Sequence, residues 1–525
     1  MYHWSQIISR GLSVTLGLGL LLGGVTPAEA APRWIRLSWT QAPATSLTVT
    51  WNDNGAVGQA EIRPLNGAAT TVTSTGLSSA VPELDYTHTV EFTGLQPDTA
   101  YEYRVQSQAT WSPWTITRTA PSAGDCTPIT FVATGDNRGE DLWIIGYNQS
   151  GQWPGVMSAL ISENPLFALH SGDFVYDGGQ ISQWQEELDS LPEIAALFPF
   201  FLAQGNHDDG PGEGAGAHYN QIFTNPATNP DGVEDYYGLI MGNVQVICLS
   251  THSFDIGDQI AWMDSELTAH AGSVDWRVVF FHVPIWSSGA HGSDESGFAD
   301  IMLPVLESHG VDLVINGHDH DYERFHPSLG GHGAGTRIIT PLPFDNNTRG
   351  EANGPIYIVT GGGGALLNPI FSSSEVGSAV GASNLNYVVV RANGNALRVT
   401  ARDMGPCVAG LCGTPTVAGN LDDFTLEKSN TICTGTTPDA GVPDPDATVP
   451  DGGTADGGPD PSDAGPADDG GLPQSDAGTP SPDGSTQPPA TPDSGCSCQT
   501  PPGAGNPAPV LLLVLLFWLF WRRRR

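Results

Sequence analysis

The sequence predicts two folded units in series, a small all-β sandwich followed by an α/β domain, and then a tail that does not fold. Three observations carry this. Over residues 31–121, alternating stretches such as Leu47, Thr48, Val49, Thr50, Trp51 and Tyr101, Glu102, Tyr103, Arg104, Val105 are separated by Gly, Pro, Asn and Asp turns, the period-two pattern of half-buried strands in a sandwich. Over residues 125–433, apolar strands at 129–134, 166–170, 200–203, 244–249, 278–281 and 313–315 alternate with stretches such as 259–269 and 298–308 whose apolar residues recur at helical spacing. That alternation predicts an α/β domain, with an antiparallel hairpin at 387–391 and 397–400 around Asn393 and Gly394. Over residues 434–506, Asp, Gly, Pro, Thr and Ser dominate. Such a stretch cannot bury enough surface to offset the entropy of ordering, and a disordered, self-repelling linker is expected.

A chain of 525 residues with 39% hydrophobic content and 14 tryptophans can build a sizeable core, and two domains plus tails suit its length. The formal charge of -38 is unevenly spread: the linker holds twelve aspartates and no Lys or Arg, and four arginines close the chain. About -30 is left for the remainder. A body so acidic repels polyanions, so nucleic acid is not an expected partner.

Residues 1–30 read as a secretory signal: Arg10, an apolar run over 12–25, and Ala28, Glu29, Ala30 as a small-residue cleavage site. Export makes disulfides available to the seven cysteines. Cys407 and Cys412 enclose a short loop and are expected to pair, a Cys126 to Cys433 bridge would tie the ends of the second domain, and Cys248 in an apolar strand reads as a buried thiol. Residues 507–525 hold twelve apolar residues at 510–521 before the arginines. At 1.5 Å per residue that run covers ~18 Å of a ~30 Å bilayer core, short for a span.

Clusters of metal-ligand residue types follow five of the strands: Gly135 with Asp136; Gly172, Asp173, Phe174, Val175 and Tyr176; Gly205, Asn206, His207 and Asp208; His282, Val283 and Pro284; and Gly317, His318, Asp319 and His320. Open α/β sheets place their sites at the carboxyl ends of strands. Two metals ~3.5–4 Å apart need a carboxylate to bridge them, with imidazoles and oxygens that leave each ion partly open. A glycine before a ligand lets the chain turn tightly at the strand end.

This series resembles the calcineurin-like metallophosphoesterases, and Tyr176, three residues after Asp173, resembles the purple acid phosphatase branch. The order of elements over 31–121 is similar to the fibronectin type III-like N-terminal domain of that branch, and the catalytic domain would then have a β-sandwich core flanked by helices. The resemblance implies that Asp136, Asp173, Tyr176 and His320 hold a first metal, that Asp173 bridges, and that Asn206, His282 and His318 complete a second site. A phenolate suits Fe(III), with Fe(II), Zn(II) or Mn(II) as its partner. Water made acidic by the two ions would attack phosphorus. His207 would protonate the leaving alkoxide, oriented by Asp208, and His291 would contact substrate.

The chain departs from the family pattern in two places. Arg138 stands where a second glycine is usual, and is read as a contact to substrate phosphate. Asp208 stands where purple acid phosphatases usually have Glu. The expected activity is hydrolysis of small phosphate monoesters. A phosphodiesterase or nucleotidase on the same scaffold, and a surface binding protein with a relic enzyme domain, are the competing readings. Gly495, Cys496, Ser497 and Cys498 before the apolar segment resemble a myxobacterial C-terminal sorting tag. That implies a sorting protease, a lipid on cysteine and display at the cell surface or outer membrane, or secretion after processing.

Overall fold

The computed structural model describes residues 31–433 apart from 79–81, 143–145, 149, 210–217, 253–254, 296, 332–337, 342–353, 371–376, 409–410, 413–414 and 430. The signal-like start, the Asp-rich linker, Cys496, Cys498 and the apolar end lie outside the described residues.

The N-terminal unit is a sandwich of two antiparallel sheets. One runs Arg33–Ser38, Ser46–Asp53, Tyr86–Thr93, Leu77–Ser78; the other runs Thr70–Thr75, Val57–Pro64, Ala100–Ser107, Thr110–Trp111, with Thr115–Arg118 also on Ala100–Ser107. Alternation sends Ala60, Ile62, Tyr101, Tyr103 and Val105 inward to meet Leu47, Val49 and Trp51. Ser46–Asp53 is buried along its whole length because this sheet also rests on the second domain. Trp39 packs on the rings of Phe167 and Phe201 at 6.1 and 5.9 Å, and Arg36 Nε donates to the Ile222 carbonyl at 2.6 Å.

The second domain holds two seven-stranded sheets face to face. The first runs Phe200–Leu202, Phe167–His170, Ile129–Thr134, Asn384–Asn393, Ala396–Val408, Leu411–Cys412, with Gly419–Glu427 on Ala396–Val408. The second runs Tyr237–Met241, Val244–Cys248, Trp276–Phe280, Leu313–Asn316, Ile356–Thr360, Tyr322–Phe325, Ser378–Ala382. One face of each, with Phe131, Phe167 and Phe201 opposite Val278, Phe280 and Ile315, forms a shared core. The other faces are covered by helices: Trp153–Ser162 and Ile181–Ser190 on the first sheet, Ile256–Ala269 and Ala299–Ser308 on the second. Strands buried on both faces read as continuous apolar runs, which is why six of them were visible in the sequence. The helix from Ile256 begins where the Asp255 carboxylate accepts from Gly257 N at 2.7 Å and Asp258 N at 3.3 Å.

Strands 129, 167 and 200 run parallel, as do strands 244, 276, 313 and 356. Their carboxyl ends therefore meet at one edge of the two-sheet core. The domain's ends are joined by the Cys126–Cys433 disulfide, and Asp275 accepts from Ile432 N at 2.7 Å. Cys407 and Cys412 are register partners, with side chains outside the described residues. Cys248 is a buried free thiol, raised well above its usual pKa by burial. No helix among the described residues is long and apolar enough to cross a membrane.

Candidate metal centre

Each motif enters the centre on a tight turn at a strand end. Asp136, Asp173 and His318 adopt φ of 58°, 56° and 71°, the left-handed region that costs a residue with a Cβ ~1–3 kcal/mol and that clusters at functional sites. Gly172, before Asp173, makes the turn expected of it with φ of 108°, whereas Gly205 and Gly317 serve close approach. A Cβ on Gly205 would lie 2.3 Å from Asp173 N, and one on Gly317 2.3 Å from Asp136 Oδ2. These two let neighbouring strand ends touch, while Asp136 and His318 themselves turn and Asp173 turns together with Gly172.

Four donor atoms converge at one point. Asn206 Oδ1 lies 3.0 Å from His282 Nε2 and 2.9 Å from His318 Nδ1, and His282 Nε2 lies 3.2 Å from both His318 Nδ1 and Asp173 Oδ1. His282 Nδ1 faces the Ser171 carbonyl at 2.9 Å and His318 Nε2 faces Glu295 Oε2 at 2.8 Å. Those acceptors favour a ring proton on each far nitrogen, so that in the neutral rings both near nitrogens present lone pairs. Two imidazole nitrogens, an amide oxygen and a carboxylate oxygen gathered at one point make a donor set that a cation would satisfy. This donor set fits a metal ion.

Asp136, Asp173 and His320 form a second group, their ligand atoms within 4.8 Å of one another. His320 Nδ1 faces the Leu366 carbonyl at 2.7 Å, which turns Nε2 toward Asp136 Oδ1 at 3.6 Å. Asp173 belongs to both groups. Tyr176 stands at the edge, its ring 5.1 Å from the His207 ring and 5.1 Å from the Arg138 guanidinium.

The electrostatics show how much negative charge is confined. Burial, reinforced by the charge of Asp173, pushes Asp136 well above the carboxylate range. Asp173 is also opposed by burial, but His282, His207 and Arg138 outweigh it and hold its carboxyl well below that range. His282 goes up to about 9 because Asp173 and Asp136 overcome burial. His320 falls to about 3, through burial first and Arg138 second.

His207 is placed as expected beside the ligands, half-buried, with Nδ1 2.5 Å from the Tyr176 carbonyl and Nε2 4.0 Å from Asp173 Oδ2. The orienting role expected of Asp208 is not what the structure shows. Its carboxylate accepts from Asp173 N and Gly205 N at 2.8 Å through Oδ2, and from Phe174 N at 2.8 Å and Val175 N at 3.1 Å through Oδ1. It binds two ligand loops together, and the Tyr176 carbonyl orients His207 instead.

His291 reaches the centre from its Gly-Ser loop: its ring is 4.0 Å from that of His318 and its Nδ1 is 3.2 Å from Glu295 Oε2. The loop is pinned by Asp319, which accepts from Ser287 Oγ at 2.5 Å and His291 N at 3.0 Å. Glu323 adds bonds from Ser288 N and Oγ at 2.7 and 2.6 Å. The alternation of the segment from His318 to Glu323 thus divides labour between the metal groups and the loop. Glu295 escaped the sequence reading because a carboxylate in a polar loop carries no signal of its own. His252, its ring 6.0 Å from His282, was legible only as a residue shortly after the strand Val244–Cys248. His170 packs against Trp153, Phe174 and Phe200, as a core residue.

Comparison with known proteins agrees with this geometry. The calcineurin-like phosphoesterase family matches residues 129–322, and the purple acid phosphatase N-terminal domain family matches residues 32–119. An uncharacterized protein of Mycobacterium tuberculosis is 27% identical over 428 residues, covering 69% of this chain and 80% of that protein. Mouse acid phosphatase type 7 is 25% identical, covering 68% and 84%. The yellow lupin purple acid phosphatase PPD1 superposes with a TM-score of 0.62 at 21% identity, covering 79% of this chain and 78% of that one. The chain thus carries a purple acid phosphatase N-terminal domain followed by a calcineurin-like phosphoesterase domain, and is similar in sequence and fold to the purple acid phosphatases.

Proposed function

We propose that the protein hydrolyses phosphate monoesters at the two metal groups, as an acid phosphatase of the purple type. The observation that carries this is the convergence of Asn206 Oδ1, His282 Nε2, His318 Nδ1 and Asp173 Oδ1 beside the Asp136, Asp173 and His320 group. Two bound ions would supply Lewis-acid polarisation of the phosphoryl group and acidify the attacking water. Around them the chain supplies position and protons. With Nδ1 engaged by the Tyr176 carbonyl, His207 presents Nε2 to the centre, and from that atom a proton passes to the leaving oxygen. His291, exposed beside His318, donates to a phosphoryl oxygen at the open side. Tyr176, at the edge of the first group, would supply a phenolate to an ion held there, which would favour Fe(III), with Fe(II), Zn(II) or Mn(II) in the second group.

The test is a panel of mono- and diesters on metal-reconstituted enzyme, with metal analysis and an absorption spectrum. A visible tyrosinate-to-iron band, and a His207→Ala loss much larger for alkyl esters than for nitrophenyl phosphate, are expected. A colourless protein that cleaves only diesters would transfer the site to the phosphodiesterase reading. A fully loaded protein with no esterase activity would leave a binding protein with a relic domain.

Export belongs to the same proposal. It rests on the signal-like residues 1–30, the sorting-tag resemblance around Cys496 and Cys498, and the Cys126–Cys433 disulfide, a bond that persists in oxidising compartments. The Asp-rich linker would hold the enzyme off the cell surface, anchored by lipid on a processed cysteine, acting on small external phosphate esters. Mass spectrometry of the mature C-terminus decides this: Arg525 retained, with both cysteines unmodified, would leave a plain tail anchor.

A further inference from the structure

Arg138 is the residue at the centre that neither metal group accounts for. It follows the left-handed turn at Asp136, and its backbone N–H donates to the Asp173 carbonyl at 3.3 Å, which fixes where its side chain starts. The residue is 8% exposed, and its guanidinium lies 5.1 Å from the Tyr176 ring centroid. Nε is 3.4 Å from Asp173 Oδ2, an ion-pair contact without hydrogen-bond geometry, and has no hydrogen-bond acceptor among the described residues. Its other ion-pair contact among the described residues is a long hydrogen bond of 3.5 Å that Nη1 donates to Glu140 Oε1. A buried guanidinium with donors to spare is costly unless something else accepts from it.

The position of that acceptor follows from His207. Arg138 and His207 approach the same oxygen, Asp173 Oδ2, at 3.4 and 4.0 Å, and each lies against the ring of Tyr176. They share one wall of the centre, and the leaving group must sit on that wall if His207 is to protonate it. Metal binding to Asp173 would draw its charge away from Arg138 and leave the planar fork for another anion.

Building on the proposed esterase function, we infer that Arg138 binds the phosphoryl oxygens of the substrate and sets a preference for dianionic monoesters over monoanionic diesters. A fixed third positive charge beside two metals attracts a dianion more than a monoanion, and the fork geometry matches two phosphoryl oxygens at once. A monoester has three unsubstituted phosphoryl oxygens and a diester two, so with one turned to the metal groups the monoester would still offer the fork a pair and the diester only one.

The experiment compares wild type, Arg138→Ala and Arg138→Lys, all reconstituted and checked for metal content. It reads kcat/KM on nitrophenyl phosphate and bis-nitrophenyl phosphate, and calorimetric binding of inorganic phosphate to the loaded proteins. Arg138→Ala should lose about 10- to 100-fold in monoester kcat/KM and a similar factor in phosphate affinity, with diester hydrolysis changed less than about threefold and both ions retained. Arg138→Lys, which keeps the charge but not the fork, should recover only part. Equal losses on both esters, unchanged phosphate affinity, or a loss that tracks missing metal would each overturn the inference. Wild type inactive on every ester would instead overturn the esterase reading, and phosphate binding insensitive to Arg138 would in that case overturn this one independently.

Discussion

The two oxygens of Asp208 accept four backbone N–H groups, those of Asp173 and Gly205 on one and of Phe174 and Val175 on the other. One buried carboxylate therefore sets the distance between the loop carrying the shared ligand and the loop carrying Asn206 and His207. Asn in its place would face two of those N–H groups with an amide that cannot accept. Asp208→Asn should therefore cost about 2–5 kcal/mol of stability and weaken both metal sites. Denaturant unfolding with metal analysis checks this. Unchanged stability with an altered leaving-group dependence would return Asp208 to the role of orienting His207.

Glu295 holds His318 by its far nitrogen at 2.8 Å, and that bond holds its carboxyl down to about 2, with His291 helping. Outer partners of this kind typically contribute 10- to 100-fold in metal affinity. Glu295→Ala should weaken the ion held by Asn206, His282 and His318 by about that factor and leave the other in place. Competition with a graded series of chelators measures the two separately, and loss of both ions together would contradict the assignment.

Asp173 contributes to both donor groups, whereas His320 contributes to one. Asp173→Ala should remove both ions and His320→Ala chiefly one, as read by metal content per chain. Two ions retained by Asp173→Ala would refute the shared-ligand geometry.

Glu234 lies away from the centre and carries a separate pH signature. Burial, joined by the nearby Asp235, raises it to about 7 against an ordinary 4.5. The folded state binds that proton more tightly than the unfolded state, so the contribution to stability is fully present below about 4.5. It is lost as pH rises through about 7. Glu234→Gln should accordingly raise the thermal midpoint at pH 8, by at most about 3 kcal/mol of stability, and change it little at pH 4. An equal effect at both values would show that the carboxyl titrates normally in the fold.

The sequence alone determined the architecture and most of the centre, for a physical reason. Strands buried on both faces are apolar throughout, and parallel strands deliver their carboxyl ends to one edge, so Asp136, Asp173, Asn206, His282, His318 and His320 could be read as neighbours from where each strand stopped. It also marked Arg138 and Asp208 as departures from a pattern, reading the first as a contact to substrate phosphate and the second as the residue that orients His207. Tertiary structure decided which way the side chains point. Asp208 turns to backbone N–H groups because Gly205 lets the two loops close, His207 is held by a carbonyl rather than by its neighbour in the chain, and Glu295 finds His318 across 23 residues. The Cys126–Cys433 bridge was one pairing among several until Gly419–Glu427 joined the edge of the first sheet. Adjacency in sequence limits which groups can meet, but hydrogen-bond direction is chosen only once packing has fixed where the donors are.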